Sequence, residues 1–268
     1  MPTKAPPFPF VLCKNCHFQP FHLSDSVHYC PRCLQGWSTC VWNSSQFDEE
    51  YAQRLIVAED NEVTSRINLH RVGLVARYCS TGKTLLDFGC GVGGFLNVAK
   101  KHWECEGVEA NHDMIDTAKR ATNLPVHFSL DRERYDIITF WDSLDHVNDL
   151  DSSFKGILES LNPGGFVFIT LPELQFCFDS TRDEGYLKRV FSEWDHNEPK
   201  TRLRYFTKNG LERFVKSFGL ILIRTDNDES VLHNSKINPL RDYVTVVAKK
   251  ADVVKREPWI LSGPGVGL

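Results

Sequence analysis

The chain has 268 residues, 41% hydrophobic and 25% charged, with a formal net charge of −4. That length suits one α/β domain plus a small accessory module, and the slightly acidic balance gives no electrostatic case for tight nucleic-acid binding. No stretch reaches the apolar length needed to span a bilayer, and the proline-rich start, residues 1–10, lacks the basic beginning and long apolar run of a secretion signal. Nine cysteines cannot all pair with one another, so a reducing compartment and a cytoplasmic location are expected.

Residues 1–46 form the first predicted unit. Cys13-Lys14-Asn15-Cys16 and Cys30-Pro31-Arg32-Cys33 are two C-x2-C pairs with thirteen residues between them. Each pair can fold as a knuckle that puts two thiolates on one side of a metal, and the spacer is long enough to bring the pairs together tetrahedrally. Cys13, Cys16, Cys30 and Cys33 are therefore the predicted ligands of a Zn²⁺ ion. Four thiolates leave no open coordination position, so the expected role is structural, with the metal supplying folding energy that so short a segment lacks. His17, His22 and His28 are then surface or packing residues, and Cys40 is expected to be buried.

The second predicted unit covers 47–250. Residues 43–50 read as a connector with Ser45 or Asp48 as helix N-cap, and 51–78 has mostly helical periodicity. Strands are expected at 84–88, 105–109, 125–130, 135–140 and 166–170, alternating with helices at 94–102, 113–120 and 151–161. The Asn162-Pro163-Gly164-Gly165 turn closes the last of these helices. Residues 171–206 break the rhythm with an aromatic and charged excursion, which is either a lid or substrate wall or a helical segment packed on the sheet edge. A helix over 207–218 and strands at 220–224 and 243–249, able to pair antiparallel, complete the pattern. Residues 251–268 read as an irregular tail. The expected class is α/β, a doubly wound, mostly parallel seven-stranded sheet with a C-terminal antiparallel hairpin, preceded by the small zinc-ribbon module.

The chain is organised around Leu85-Leu86-Asp87-Phe88-Gly89-Cys90-Gly91-Val92-Gly93-Gly94, a strand, a tight glycine turn and a helix start. Gly89-x-Gly91-x-x-Gly94 matches the dinucleotide fingerprint, with Glu109 near the offset of a ribose-binding acid. A nicotinamide-dependent oxidoreductase is one reading. Asp87 argues against it, because a carboxylate two residues before the first glycine would repel a pyrophosphate, whereas it suits a ligand carrying an ammonium and a sulfonium. The terminal hairpin, in place of a second βαβ half, points the same way.

This corner resembles the first motif of class I S-adenosylmethionine-dependent methyltransferases. Gly107-Val108-Glu109, 140–147, Leu161-Asn162-Pro163-Gly164-Gly165 and Arg204-Tyr205-Phe206-Thr207 resemble later segments of that family, so the likeness spans roughly residues 65–250. The front end resembles, more loosely, the zinc-ribbon segment that precedes such domains in some bacterial methyltransferases of glycan and natural-product pathways. The resemblance implies S-adenosylmethionine as cofactor. It implies that Asp87 holds the amino group, Gly89, Gly91 and Gly93 admit the methionine portion, and Glu109 accepts both ribose hydroxyls. Ala110 and Asn111 would line the ribose edge, Asp131 would meet the adenine, and Trp141 and Asp142 would lie near the transferred methyl.

For an oxygen acceptor the candidate base is His146, since imidazole titrates near working pH. It can alternatively be a packing residue. Asp142-x-x-Asp145-His146 resembles the acid-x-x-acid-His cluster of the quinone-pathway O-methyltransferases, which implies a Mg²⁺ site as a minority reading, with aspartates where that family has glutamates. Trp194, Asp195 and His196 are secondary candidates. The leading expectation is methyl transfer to an oxygen of a small-molecule or glycan precursor. A second keeps the enzyme but makes RNA or protein the acceptor, with Lys14 and Arg32 of the ribbon as contacts. A third is a non-catalytic binding protein that retains the fold.

Overall fold

The computed structural model describes residues 12–40, 49–59, 61–130, 134–174, 184–194, 196–233 and 243–252. In chain order the ribbon contributes β1 (Phe21–His22), β2 (Val27–Cys30) and β3 (Gln35–Ser38), followed by α1 (Glu49–Glu59) and α2 (Glu62–Tyr78). Next come β4 (Thr84–Phe88), α3 (Gly94–Ala99), β5 (Glu104–Val108), α4 (His112–Thr122), β6 (Val126–His127) and β7 (Tyr135–Trp141). The remainder is α5 (Leu150–Glu159), β8 (Leu161–Pro172), α6 (Glu184–Glu193), β9 (Arg204–Phe206), α7 (Lys208–Ser217), β10 (Ile221–Asp226) and β11 (Tyr243–Lys249).

The main sheet has the order β10-β11-β8-β7-β4-β5-β6. β4 pairs parallel with both β5 and β7, while β11 runs antiparallel to its neighbours β8 and β10. The seven-stranded sheet with its late hairpin is therefore as expected. Its central strands are mostly apolar and buried because helices cover both faces, with Asp87, Glu106 and Thr139 as buried polar exceptions. Leu86, Ile138 and Phe140 turn toward Phe154, Ile157, Leu211 and Phe214 of α5 and α7. Leu85, Ile137 and Phe168 turn toward Val75, Leu96 and Ala118 of α2, α3 and α4. The chain leaves β4 toward β5 and β6 and later returns to β7 on the other side. The resulting crevice at the carboxyl ends of β4 and β7 is where such sheets bind ligands.

Several expectations change in detail. The mostly helical stretch 51–78 comprises two helices: α1 stops at Glu59, and Asn61 caps α2, accepting the Val63 N–H at 2.9 Å. The third strand shortens to Val126–His127. Asn162-Pro163-Gly164-Gly165 is not outside the sheet. Tyr135 pairs with Leu161 and Ile137 with Phe166, so the four residues bulge out of β8. Cys40 is only half-buried. Ser45, Asp48, Asp131 and Asp195 lie outside the described residues, as does most of the 251–268 tail.

The ribbon sheet is larger than the sequence suggests. Its order is β1-β2-β3-β9, so a strand from the end of the excursion completes it. Gln35, Gly36 and Trp37 pair with Phe206, Tyr205 and Arg204. The described part of the excursion packs here, with Leu174, Leu187, Phe191, Trp194 and Tyr205 buried against Leu23, Val27 and Tyr29. Other residues of the excursion, Thr201 and Arg202, reach the loop that carries Asp142 and His146. A second joint lies at Leu34, whose carbonyl accepts from the Thr207 N–H at 3.3 Å and hydroxyl at 3.1 Å. Gly210 is required beside it, because a Cβ there would fall 2.0 Å from the Leu34 oxygen.

Candidate active site

A cavity of about 860 Å³ opens at the carboxyl ends of β4, β5 and β7. Asp87, Gly89, Gly91, Glu109, Ala110 and Asn111 line one side of it, and Trp141, Asp142 and His146 line another. Its size lies within the usual range for a cofactor site, roughly 300–1,000 Å³. Two predicted residues stand back from it. Gly93 is the left-handed N-cap of α3, and Asp145 is 2% exposed behind the wall.

The glycine corner is shaped by backbone constraints. Gly89 has φ +75°, and a Cβ there would come within 2.4 Å of the Ser143 side chain. Gly93 has φ +90°, and its Cβ would meet Thr122 at 2.7 Å. Side chains at these positions would both strain the turn and push apart the elements it joins. Asp87 is 2% exposed at the end of β4 and accepts the Thr139 hydroxyl at 2.8 Å.

Glu109 follows β5 and spans the same turn. Its Oε1 accepts the N–H groups of Ala110 at 2.7 Å and Asn111 at 3.0 Å, and its Oε2 accepts that of Gly91 at 3.0 Å. A carboxylate offers about four lone-pair directions, so three bonds orient the group and leave one direction for a hydroxyl. A second hydroxyl would be accepted in exchange for one of the N–H bonds. Leu55 of α1 roofs this corner, 3.7 Å from where a Gly91 Cβ would lie.

The opposite wall is the loop after β7. Asp142 takes a left-handed φ of 53°, tolerable for aspartate, and the 3-10 turn Leu144–His146 follows. The His146 Nδ1 lies 2.8 Å from the Thr201 carbonyl oxygen. A carbonyl can only accept, so Nδ1 carries the hydrogen and the neutral ring presents Nε2 as its basic atom. Asp142 and Asp145 both bond the guanidinium of Arg202, which is itself 4% exposed, and the Asp145 Oδ1 lies 3.9 Å from the His146 Nε2. Burial opposes ionisation of Asp142, but Arg202 first, then His146, His196 and Arg71, hold its carboxyl below the ordinary range. Ligand atoms of Asp142, Asp145 and His146 do lie within 4.8 Å of one another, as a metal would need. Yet Arg202 bonds both carboxylates, so the positive charge this cluster calls for is already provided by the chain.

The sequence reading missed Arg202 and also Arg71. Arg71 lines the cavity from α2, lies 5.0 Å over the Trp141 ring, and binds Glu229 through Nε at 3.1 Å and Nη2 at 2.6 Å. Glu229 is fully buried, and burial disfavours its charge. Arg71 and then His233 outweigh this and bring it down to about 2. No local pattern marks these arginines, since their partners lie 60 and 158 residues away.

The four ribbon cysteines do converge. Cys13 and Cys33 sulfurs are 3.7 Å apart and Cys16 and Cys30 sulfurs 3.5 Å, too far for disulfides of about 2.05 Å. They are close to the edge of about 3.8 Å that a tetrahedron of ~2.3 Å zinc–sulfur bonds would have. Burial pushes the Cys30 thiol up to about 11, and burial with the neighbouring thiols pushes Cys33 up too. Cys16 moves the other way, lowered against burial by the Phe18 backbone and the surrounding thiols. The donor set fits a thiophilic cation, which would ionise all four groups.

An α/β sheet of this order, with an acid and a glycine turn at its first strand and a second acid after the next, defines the S-adenosylmethionine-dependent methyltransferase class. A family profile described as a methyltransferase domain matches residues 61–225, and the chain belongs to that family. Among curated proteins it is similar to a ubiquinone biosynthesis O-methyltransferase of Hydrogenovibrio crunogenus, 31% identical over 120 residues, which cover 39% of this chain and 49% of that one. A second enzyme of that name, from an Azoarcus species, is 25% identical over 174 residues, covering 59% of this chain and 72% of the other. The chain thus spans about half the length of the first relative. Among solved structures, a chain from the complex of the Haloferax volcanii Trm112 methyltransferase activator aligns with a TM-score of 0.57 at 15% identity, covering 77% of this chain and 96% of the other. An S-adenosylmethionine-dependent methyltransferase from Mesorhizobium loti aligns at 0.51 and 15% identity, covering 66% and 96%. These structural likenesses bear on the fold.

Proposed function

We propose that the chain methylates an oxygen of a small-molecule acceptor, drawing the methyl group from S-adenosylmethionine, with His146 as the base. The observation that carries this reading is that the acid-and-glycine corner and a histidine with its Nδ1 hydrogen fixed by Thr201 share one cavity. The two curated relatives, both named as O-methyltransferases, support oxygen as the acceptor atom.

S-adenosylmethionine brings a methyl group on a sulfonium, with its leaving group already attached. The chain binds and orients. Asp87 would face the ammonium, Glu109 would accept the ribose hydroxyls, Ala110 and Asn111 would border the ribose, and Gly89 and Gly91 would leave room for the methionine portion. Trp141, which lines the same cavity, would close the site beside the transferred methyl. His146 Nε2 would accept the proton of an acceptor hydroxyl, freeing that oxygen to receive the methyl group. At Asp142 and Asp145, Arg202 supplies the positive charge that a divalent ion would otherwise bring. Cys13, Cys16, Cys30 and Cys33 would hold a structural Zn²⁺ that cross-links the ribbon. Reduced thiols suit a cytosolic setting, and no helix among the described residues is long and apolar enough to cross a membrane.

Calorimetry with S-adenosylmethionine, followed by turnover of simple catechols with the labelled cofactor, tests the reading. Wild type should bind the cofactor. His146→Ala should keep that affinity and lose about 10²-fold or more in kcat. Absence of binding at millimolar cofactor would overturn the proposal.

A further inference from the structure

The ribbon and the acceptor-side loop are joined by one short stretch of chain, residues 199–206. At its far end Arg204, Tyr205 and Phe206 are β9, the fourth strand of the ribbon sheet. Just before β9, the Leu203 carbonyl accepts the Ser38 N–H at 3.1 Å, and the Ser38 hydroxyl donates to the Pro199 carbonyl at 2.6 Å. Both ends of the 199–203 turn are therefore tied to the last residue of β3. The same turn faces the site with its remaining groups. Leu203 N–H donates to the Asp145 carbonyl at 2.9 Å, Thr201 carbonyl takes the His146 Nδ1 hydrogen, and Arg202 bonds Asp142 and Asp145.

β3 is in turn set by the cysteines. It pairs with β2 in a register that places Cys30 opposite Gln35, and the Cys30–Cys33 knuckle leads directly into it. The knuckle also seats on α7, through the Leu34 carbonyl on Thr207 and the Arg32 carbonyl, which accepts from Arg213 at 2.8 Å. Among the described residues, the corner that would hold the cofactor's methionine and ribose is bonded within the main sheet and its turns. Asp87, Gly91 and Glu109 are positioned by β4, β5, Thr139 and one another.

We propose that the four-cysteine ribbon is a positioning element for the acceptor side of the site. It acts through the 199–203 turn, which aims the His146 ring and holds Arg202 against Asp142 and Asp145. Thr201 and Arg202 are positioning residues, and Ser38 is the contact through which the ribbon holds them. This inference rests on the assignment of His146 as the base. A shift of about 1 Å in such a group costs on the order of 10²-fold in rate, so small loosening of the ribbon would register in chemistry before it registered in cofactor binding.

The test uses the whole chain labelled with ¹⁵N-histidine. The Nδ1 and Nε2 resonances of His146, assigned by its loss in His146→Gln, report tautomer and hydrogen bonding without any acceptor. S-adenosylmethionine affinity is measured alongside. Three states are compared: Zn²⁺-loaded, chelated, and Zn²⁺-loaded Ser38→Ala. Chelation should abolish the Nδ1–H signature of His146 and change cofactor affinity less than about 3-fold, and restored Zn²⁺ should return it. Ser38→Ala, which leaves the cysteines and every cavity residue in place, should shift the His146 resonances toward the chelated position. Unchanged His146 resonances in both the chelated and Ser38→Ala proteins would overturn the inference. So would equal loss of cofactor affinity on chelation with no change in Ser38→Ala, since the ribbon would then be general scaffolding. Failure of the Zn²⁺-loaded wild type to bind S-adenosylmethionine would instead count against the proposed function.

Discussion

Glu109 accepts three backbone N–H groups, and this fixes the direction in which its remaining lone pair points. Glu109→Ala should therefore do two things, removing the acceptor for the ribose and releasing the Gly91 turn. A charged hydrogen bond contributes about 1.5–3 kcal/mol, so calorimetry should show cofactor binding weakened by roughly 10- to 100-fold. Affinity within 2-fold of wild type would remove Glu109 from the ribose site. Arg202 makes a different kind of prediction. It is buried with Asp145, and Arg202→Met would leave that carboxylate without its guanidinium partner, at a cost of about 3–5 kcal/mol at neutral pH. The sign with pH follows from Asp142, whose carboxyl is held below its ordinary value. Its stabilising contribution is complete above the unfolded value, about 3.9, and is lost as pH falls through the lower folded one. Without Arg202 the two acids protonate more readily. The stability gap between variant and wild type should then be widest near pH 7 and narrow toward pH 4 in urea titrations. A gap independent of pH would contradict the ion-pair assignment.

At the scale of elements, α2 is tied to the 3-10 turn Asp228–Leu232 ahead of β11 by the Arg71–Glu229 pair, with His233 stacked 3.7 Å over Tyr243 beside it. Glu229 is lowered to about 2, so its contribution is whole above about 4.5 and disappears as pH falls toward 2. Glu229→Gln should cost about 3–5 kcal/mol, because Arg71 stays buried beside a neutral partner. Arg71→Met with Glu229→Leu should recover most of that loss. Thermal melts of the two variants decide it, and equal losses would mean that the pair contributes little beyond packing. This pair also marks what the sequence could reveal. Asp87, the glycines, Glu109 and the strand order were legible because each rests on spacing within one turn or one strand–helix unit. Arg71, Thr201 and Arg202 were not. Their roles depend on partners 158, 55 and 60 residues away, and a lone arginine or a backbone carbonyl carries no signature of its own. β9 was hidden for a similar reason. Arg204-Tyr205-Phe206 is too short to read as a strand until β3 lies beside it.

For the whole molecule the question is whether the ribbon is an appendage or part of one cooperative structure. Its core joins Leu23, Val27 and Tyr29 to five residues from 174–205, so neither segment buries its apolar face alone. A core of this size seldom supports an independent fold, which leaves the cysteine cluster as the source of the missing stability. Loss of the metal should consequently not stop at residue 40. In hydrogen exchange of the chelated protein, amides of β2 and β3 should lose protection together with those of β9 and α6. Amides of β4, β5 and β7, whose side chains fill the two faces of the main sheet, should exchange as slowly as before. Protection of 204–206 that survived chelation would show that β9 is held by its bridge to Glu173 and by the Thr207 cap, and that the ribbon sheet is divisible. Simultaneous loss across β4 and β5 would show the opposite extreme, a chain that folds as a single unit around its metal.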